Sequence, residues 1–236
     1  MKLTAILIGL PSRIRSEGFS NTLRSLYRRG YIRFQERRFG IHTDDVIDLS
    51  NFGITNTECK YYSATDYTNI REIMDALAID PREHVFLDFG AGMGRAMILA
   101  AMYPFRGVLG VEISDELASI AKSNFVRSKR HLRCRRLEIV TADAATFHIP
   151  SDVTVVYFNN PFFGDILSAV LLNLRTSLEL VPRNLTVICN LPESSAFESQ
   201  IKCQNWLRLQ KYFVLSDGRL CLVFSAVPTF GVHAET

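Results

Sequence analysis

The sequence contains no apolar run long enough to cross a membrane. Of its 236 residues 47% are hydrophobic, and the mean hydropathy is +0.09. A transmembrane helix needs about 18 consecutive apolar residues, whereas the longest such run near the N-terminus, residues 3–10, is interrupted by Thr4 and Gly9. We therefore expect neither a membrane-spanning segment nor a secretory signal peptide.

Cysteine is scarce and irregularly spaced. The chain has five cysteines, and no two of them form a Cys-x-x-Cys pair. A disulfide framework generally needs an even number of cysteines, and structural zinc sites generally need close pairs. The sequence therefore predicts free thiols, no metal site and a cytoplasmic location.

Positive charge is concentrated in the first forty residues. They contain nine Lys or Arg residues against Glu17 and Glu36, although the net charge of the whole chain is only +3. Residues 19–34 combine apolar and aromatic side chains at helical spacing with intervening arginines, which predicts an amphipathic helix. This basic arm can pack on the main domain, bind an anionic membrane surface or another anionic partner, or act as a mitochondrial transit peptide. The sequence leaves these alternatives open.

A different pattern begins at Val85, where short apolar runs alternate with helical segments. The predicted strands there are residues 85–89, 107–112, 137–140, 153–158 and 185–189, and the predicted helices are residues 95–102, 115–126 and 165–180. This alternation is typical of a doubly wound α/β fold with a mostly parallel sheet. Two further strands, 207–215 and 219–227, flank a Ser-Asp-Gly turn. We expect this hairpin to bring the sheet to seven strands and to add an antiparallel edge strand.

A glycine-rich segment follows the first of these strands. Residues 88–94 read Asp-Phe-Gly-Ala-Gly-Met-Gly and join the strand to a helix. Glycine lets the backbone turn sharply and approach a ligand closely, and the N–H groups at the start of the helix can bind polar ligand groups. The segment therefore predicts a binding loop that involves Asp88, Gly90, Gly92 and Gly94.

Acidic residues stand at or near the ends of three predicted strands. Asp88 lies near the end of the first strand, Glu112 ends the second, and Asp143 follows the third. Glu112 is placed to accept hydrogen bonds from both ribose hydroxyls of an adenosine, and Asp143 is placed to face the exocyclic amine of adenine. Asp88 is suited to the positively charged amino end of an amino-acid-like ligand.

At these motifs the chain resembles the class I S-adenosylmethionine-dependent methyltransferases, over roughly residues 60–230. Residues 88–94 look like the first motif of that family, Glu112 like its ribose-binding acid and Asp143 like its adenine-side acid. The resemblance implies a Rossmann-like fold, S-adenosyl-L-methionine as the cofactor and methyl transfer as the reaction. We accordingly expect a basic helical N-terminal extension in residues 1–59 and a methyltransferase domain in residues 60–236.

The fourth strand runs into Asn159-Asn160-Pro161-Phe162-Phe163, which resembles the Asn/Asp-Pro-Pro-Tyr motif of amino-group methyltransferases. Phe162 stands in place of the second proline, and Phe163 stands in place of the tyrosine. The resemblance implies that Asn160, Pro161 and Phe162 contact the acceptor, and that Asn160 orients an amine nitrogen while it also touches the cofactor. The alternative is that Asn160-Pro161 only forms the turn that ends the strand.

An upstream segment, Tyr62-Ser63-Ala64-Thr65, is similar to a Tyr-x-Pro-Thr/Ser segment of uncharacterised bacterial methyltransferases, and more distantly to non-SET protein-lysine methyltransferases. The segment closes over the cofactor there, which implies that Tyr62 and Thr65 are cofactor contacts here. Ala64 replaces the proline of that pattern, so we expect a less rigid segment. The alternative is a plain loop.

The sequence thus predicts methyl transfer from S-adenosylmethionine to an amine nitrogen, with a protein lysine or another amine as the favoured acceptor. Two alternatives stay open: a non-catalytic adenosyl-binding or scaffold module that works through the basic arm, and a nicotinamide-dependent oxidoreductase on a similar sheet. A basic run in residues 127–136 is either a solvated surface or a docking site for nucleic acid or another anionic partner.

Overall fold

The computed structural model of the protein describes residues 19–226. Sequence predictions that concern residues 1–18, and the last residue of the final predicted strand, lie outside the described residues. The chain divides into two compact units, with the division between Ile41 and His42. The predicted domain boundary between residues 59 and 60 falls inside the second unit.

The first unit contains one long helix among its described residues. Helix α1 spans Phe19–Phe39, so the helix predicted for residues 19–34 is confirmed and continues beyond its predicted end. Arg37 and Arg38 occupy its last turn, where positive charge interacts favourably with the helix dipole. Gly40 has a φ of 71°, and a left-handed glycine at this position is a common way to end a helix.

The second unit combines a central sheet, flanking helices and a short separate ribbon. The ribbon strands are β1 (Val46–Ile47) and β2 (Tyr62–Ser63), and the sheet strands are β3 (Val85–Phe89), β4 (Gly107–Glu112), β5 (Leu137–Thr141), β6 (Val155–Phe158), β7 (Leu185–Leu191), β8 (Arg208–Val214) and β9 (Leu220–Ala226). The helices are α2 (Asn69–Leu77), α3 (Arg95–Ala101), α4 (Asp115–Ser128), α5 (Gly164–Leu180) and α6 (Ala196–Lys202). No helix within residues 19–226 is long and apolar enough to span a membrane.

The sheet is mostly parallel, and its strand order is β5-β4-β3-β6-β7-β9-β8. Strands β3 to β7 pair in parallel, whereas β9 is antiparallel to both β7 and β8. The predicted seven-stranded, doubly wound sheet is therefore confirmed, and the terminal hairpin supplies its antiparallel strand. Because Leu220 at the start of β9 pairs with Leu191 at the end of β7, the start of β9 lies at the same sheet edge as the ends of the parallel strands.

The central strands are apolar along almost their whole length because both of their faces are covered. Every residue of β3, β4 and β6 is buried, as expected for inner strands of a parallel sheet. Phe89 and Phe158 stack at the ends of β3 and β6, with ring centroids 5.4 Å apart. The strand order reverses between β3 and β6, and such a reversal opens a crevice at the carboxyl ends of the strands.

Residues 58–63, which we call the strap, are fixed beside the residues that follow β6. Cys59 and Phe162 form an isolated antiparallel bridge. The backbone N–H of Lys60 donates to the carbonyl of Pro161 at 2.9 Å, and the N–H of Phe163 donates to the carbonyl of Glu58 at 3.2 Å. The strap therefore holds β2 next to the crevice.

Candidate active site

The loop between β3 and α3 can follow its path only because it contains glycine at critical positions. Gly90 has a φ of 72° and Gly92 has a φ of 54°. A Cβ atom on Gly90 would lie 2.4 Å from Cβ of Pro161, and one on Gly92 would lie 2.2 Å from a ring carbon of Tyr62. The missing side chains thus let the loop, the strap and the segment after β6 converge on one place.

Glu112 at the end of β4 is held by the backbone of this loop. The N–H of Gly92 donates to its Oε2 at 2.7 Å, and the N–H of Ser114 donates to its Oε1 at 3.0 Å. Burial raises the pKa of Glu112, while the hydrogen bonds from the backbone of Ser114 and Gly92 act in the opposite direction. Because a carboxylate has about four acceptor positions, Glu112 retains acceptor capacity for a hydroxyl donor.

Asp88 on β3 is a buried carboxyl group with an unsatisfied oxygen. Its side chain is 2% exposed, and its Oδ1 has no hydrogen-bond partner among the described residues. Burial raises the pKa of Asp88 well above its ordinary value, and the nearby charge of Glu112 adds to this. A buried acceptor without a hydrogen-bond partner destabilises the folded protein. A cationic ligand group that donates a hydrogen bond to Asp88 would relieve this destabilisation.

A cleft of about 850 Å³, counted with its open mouth, runs along this sheet edge, and both Glu112 and Asp143 line it. Asp143 follows β5, and its Oδ1 accepts the N–H of Ala145 at 2.8 Å, so its orientation is set by its own turn. A smaller cavity shares part of the cleft wall, including Gly90 and Asn159, and reaches Asp88. The predicted acids therefore line either the cleft or the smaller cavity that shares part of its wall.

The segment after β6 forms the opposite wall of the cleft. Asn160 adopts a left-handed conformation with a φ of 52°, its side chain is half-buried, and it makes no hydrogen bond within residues 19–226. Pro161 and Phe162 line the cleft beside it, and the ring of Phe162 packs edge-on against Phe158 with centroids 6.1 Å apart. The three predicted acceptor contacts are thus brought together.

Tyr62 and Thr65 also reach the predicted region. The hydroxyl of Tyr62 donates to the carbonyl of Thr43 at 2.9 Å, which fixes its ring against Gly92. Thr65 is 3% exposed, and its Oγ1 lies 2.6 Å from the hydroxyl of Tyr157. Both residues line the smaller cavity next to Asp88.

Comparison with known proteins decides the family. The model of the family described as histone methylation protein DOT1 matches residues 47–180, which is more than half of the chain. The chain belongs to this family. A curated relative, the tRNA1(Val) (adenine(37)-N6)-methyltransferase of Bacteroides thetaiotaomicron, is 29% identical over 122 residues, which cover 51% of this chain and 48% of the relative. The chain thus spans about half the length of the curated relative that it matches.

Solved structures show that this DOT1-family chain has a methyltransferase fold. An RNA methyltransferase from Salinibacter ruber in complex with S-adenosyl-L-homocysteine is 19% identical, with a TM-score of 0.52 over 74% of this chain and 100% of that chain. A ribosomal protein L11 methylase from Lactobacillus delbrueckii subsp. bulgaricus is 17% identical, with a TM-score of 0.51 over 70% of this chain and 81% of that chain. The predicted class I S-adenosylmethionine-dependent methyltransferase family, the Rossmann-like fold and the cofactor are confirmed.

The residues around the cleft fit the cofactor of this DOT1-family chain. S-adenosylmethionine is an elongated molecule with an adenosine at one end, an amino-acid group with an ammonium and a carboxylate at the other, and a cationic sulfonium between them. Glu112 and Asp143 would hold the adenosine, and the unpaired Oδ1 of Asp88 would accept the ammonium. Because Gly90 and Gly92 have no side chains, nothing at these two positions would block the cofactor. The roles of these individual residues stay predictions.

Sequence reasoning missed the hydrogen-bond network that organises the far side of the cleft. Asn190 on β7 is fully buried, and its Nδ2 donates to Oδ1 of Asn159 and to the hydroxyl of Tyr157, both at 3.0 Å. Its Oδ1 accepts Nε of Arg219 at 2.8 Å. The available signal was Asn190 itself, a polar residue near the end of the apolar strand Leu185–Leu191. The predicted strand ended one residue earlier, at Cys189.

Glu58 was missed as well, because its role depends on a contact more than a hundred residues away. Its Oε1 accepts the N–H of Asp165 at 3.0 Å, and its Oε2 accepts the N–H of Ile166 at 2.9 Å. These two backbone hydrogen bonds lower the pKa of Glu58. The strap therefore caps the start of α5, which follows directly after residues 159–163.

Proposed function

We propose that this chain transfers a methyl group from S-adenosylmethionine to an amine nitrogen of a protein or of another acceptor. The observation that carries the proposal is the conformation of Asn160, a non-glycine residue with a φ of 52° and a side chain without a partner among the described residues. Asn adopts this conformation more readily than most other residues, and the turn leaves its side chain at the lining of the cleft, available to a ligand. Asn160 lines the cleft where the Asn/Asp-Pro-Pro-Tyr-like motif predicts the acceptor.

Catalysis by these residues would consist mainly of positioning. The bound cofactor supplies an electrophilic methyl group on a sulfonium. The side-chain oxygen of Asn160 would accept an N–H of the acceptor, so that the nitrogen lone pair points toward the cofactor side of the cleft. Asn160 cannot act as a base because an amide does not take up a proton near neutral pH, and the acceptor nitrogen must therefore be neutral when it attacks. Fixing two reactants in this way can supply several kcal/mol.

Two further groups would shape the acceptor site. The carbonyl of Pro161 already accepts the N–H of Lys60 at 2.9 Å, so one of its two acceptor positions is left for a substrate donor. Phe163 lies under the ammonium group of Lys60, with Nζ 4.2 Å from the ring centroid. A lysine acceptor would approach past apolar and aromatic side chains, which favour its neutral form.

The relatives support a nitrogen acceptor without identifying the molecule that carries it. The name of the curated relative assigns it methylation of N6 of an adenine in a tRNA, whereas the description of the family concerns histone methylation. Both names are compatible with transfer to nitrogen. We propose a protein amine or another amine as the acceptor here, and a cytoplasmic location for the chain.

The test is transfer of a labelled methyl group from S-adenosylmethionine into lysate fractions, followed by separate protease and nuclease digestion. We expect Asn160→Ala to lower the rate about 100-fold or more, because it removes a contact that acts mainly in the transition state. Asn160→Asp keeps the size and an acceptor oxygen, and it should retain part of the activity. The exposed Asn51 provides the matched control, and Asn51→Ala should transfer at the wild-type rate.

Three outcomes would redirect the proposal. Near wild-type transfer by Asn160→Ala would reduce Asn160 to a turn residue and favour an oxygen or carbon acceptor. Cofactor binding without transfer into any fraction would favour the non-catalytic adenosyl-binding module. Calorimetric binding of a nicotinamide dinucleotide in place of S-adenosylmethionine would favour the oxidoreductase.

A further inference from the structure

Most of the charged side chains that line the cleft and its smaller cavity are grouped by sign along the sheet edge, Arg95 beside Asp88 being the exception. Asp88 lies on β3, Glu112 ends β4 and Asp143 follows β5, and these three strands form one half of the sheet. On the other side of β6 the cleft is lined instead by Arg219 at the start of β9 and by Lys60 on the strap. The ammonium and sulfonium of the cofactor suit the acidic half, whereas the cations of the basic half suit an oxyanion, either the carboxylate of the cofactor or a group on the acceptor.

Arg219 is held rigidly and still has donors to spare. Its Nε donates to Oδ1 of Asn190 and its Nη2 donates to the carbonyl of Asn190, both at 2.8 Å. Since a guanidinium carries five N–H groups, three remain. Arg219 forms no ion pair with any acid in residues 19–226, because Asp217 accepts its backbone N–H and the side chain of Asn69 instead.

Lys60 reaches the same wall from the strap. Its backbone is bonded to Pro161, and its ammonium lies over the ring of Phe163. A cation–π contact satisfies part of the charge while it leaves N–H groups able to bind another acceptor. Lys60 has no carboxylate partner within the described part of the chain.

Both residues are linked to the residues that flank Asn160, Arg219 through one intermediate side chain and Lys60 through its backbone. Arg219 connects through Asn190 to Asn159, which precedes Asn160, and Lys60 bonds Pro161, which follows it. A group bound by the two cations would therefore lie in the cleft that Asn160 also lines. A pre-positioned guanidinium matches the planar spacing of carboxylate and phosphate oxygens.

We propose that Arg219 and Lys60 form an oxyanion subsite, which selects an acceptor that carries a phosphate or carboxylate group near its target amine. The proposal rests on the proposed function, because it uses Asn160 to locate the acceptor. It also sharpens the substrate class, since two cations disfavour an approaching ammonium and favour a neutral amine on an anionic scaffold.

The test measures binding of small probes to protein saturated with S-adenosylhomocysteine, by ligand-observed NMR and calorimetry. The probes are phenyl phosphate, benzoate and the uncharged benzyl alcohol. We expect at least one anion to bind ten-fold or more tightly than the alcohol, with phenyl phosphate stronger for a phosphate-bearing acceptor and benzoate stronger for a carboxylate-bearing one. Arg219→Gln and Lys60→Gln should each weaken the anion about five-fold or more.

Two controls separate charge from structure. Arg208→Gln removes an exposed guanidinium from the opposite end of the same hairpin, where Arg208 pairs with Ser225, and it should leave anion binding unchanged. If Arg219→Gln lowers the thermal midpoint through its lost bonds to Asn190, Lys60→Gln still tests the subsite, because the Lys60 side chain makes no hydrogen bond in that network.

Two results would overturn the subsite: equal binding of the anions and the alcohol, or anion binding that survives both substitutions. A ten-fold loss of S-adenosylhomocysteine affinity in Arg219→Gln would also overturn it, since the guanidinium would then serve the cofactor carboxylate. Because the assay needs no turnover, it is independent of methyl transfer. Anion binding without methyl transfer would contradict the proposed function but not the subsite. Methyl transfer without anion binding would contradict the subsite but not the proposed function.

Discussion

The two halves of the cleft share one sheet edge but differ in chemistry. The half formed by β3, β4 and β5 presents carboxylates, and backbone N–H groups hold Glu112 and Asp143 while Asp88 is left with an unpaired oxygen. The half formed after β6 presents neutral amides in a side-chain network around Asn190, together with two cations. The first half is suited to attract a positively charged cofactor, and the second is suited to orient a neutral acceptor.

The largest expected effect is a loss of stability when a side chain is added at Gly92, where the loop after β3 contacts Tyr62. Gly92→Ala places a Cβ atom 2.2 Å from the ring of Tyr62 and forces alanine into a φ of 54°. Left-handed strain and overpacking together should lower the free energy of unfolding by about 2–5 kcal/mol, which is a drop of about 4–20 °C in Tm. Denaturant titration and thermal scans would measure it.

Gly53 supplies the matched control for that substitution. It has a φ of 75°, but a Cβ atom there would meet nothing within 4 Å. Gly53→Ala should therefore cost only about 1–2 kcal/mol from the backbone. Equal losses for the two variants would show that the contact with Tyr62 is not tight.

The next largest effect concerns cofactor affinity. Glu112→Ala removes the acceptor of the Gly92 and Ser114 N–H groups together with the predicted ribose contact. The loss should be about 2–4 kcal/mol, or about 30- to 1000-fold in Kd for S-adenosylhomocysteine. The exposed Glu138 on β5 is the control, and Glu138→Ala should bind within two-fold of the wild type. If Glu112→Ala bound S-adenosylhomocysteine with wild-type affinity, Glu112 would not be a cofactor contact.

The smallest effect, taken per pH unit, is a pH dependence of stability that belongs to the acidic half. Burial raises the pKa of Asp88 from its ordinary value of 3.8, so the folded protein without cofactor holds its proton more tightly than the unfolded chain does. Stability should therefore fall as the pH rises from about 4 through the raised pKa, by at most about 1.4 kcal/mol per pH unit for one proton. Thermal scans across this range should show a shallower decline for Asp88→Asn.

Glu112 contributes in the same direction, because burial raises its pKa as well. Asp88→Asn should thus remove only part of the decline. The cationic cofactor favours the charged form of Asp88, so binding to the wild type should release protons, and calorimetry in buffers of different ionisation enthalpy would detect this. Unchanged proton release in Asp88→Asn would contradict the assignment of the ammonium to Asp88.

The acidic half could be predicted from the sequence far better than the basic half. Asp88, Glu112 and Asp143 each lie at or near the end of a recognisable apolar run, and parallel strands bring such positions to one edge whatever the detailed register. Asn190 and Arg219 meet only because β7 and β9 pair antiparallel with Leu191 opposite Leu220. Neither the length of β7 nor that register can be read from local pattern, so the network was not predicted.

Contacts with the strap escaped prediction for a similar reason. Glu58 caps α5 across more than a hundred residues of sequence, and the segment that contains it has no regular periodicity. The likeness of Tyr62 and Thr65 to a known segment indicated their region but not their partners, Thr43 and Tyr157. Long-range polar contacts of this kind depend on the assembled fold.

The division of the cleft into a cofactor half and an acceptor half is tested most directly by titrating S-adenosylhomocysteine into Asn160→Ala. Our account predicts that this variant binds within about ten-fold of the wild type, whereas Glu112→Ala loses about 30-fold or more. A loss in Asn160→Ala as large as that in Glu112→Ala would contradict the account, because Asn160 would then belong to the cofactor half.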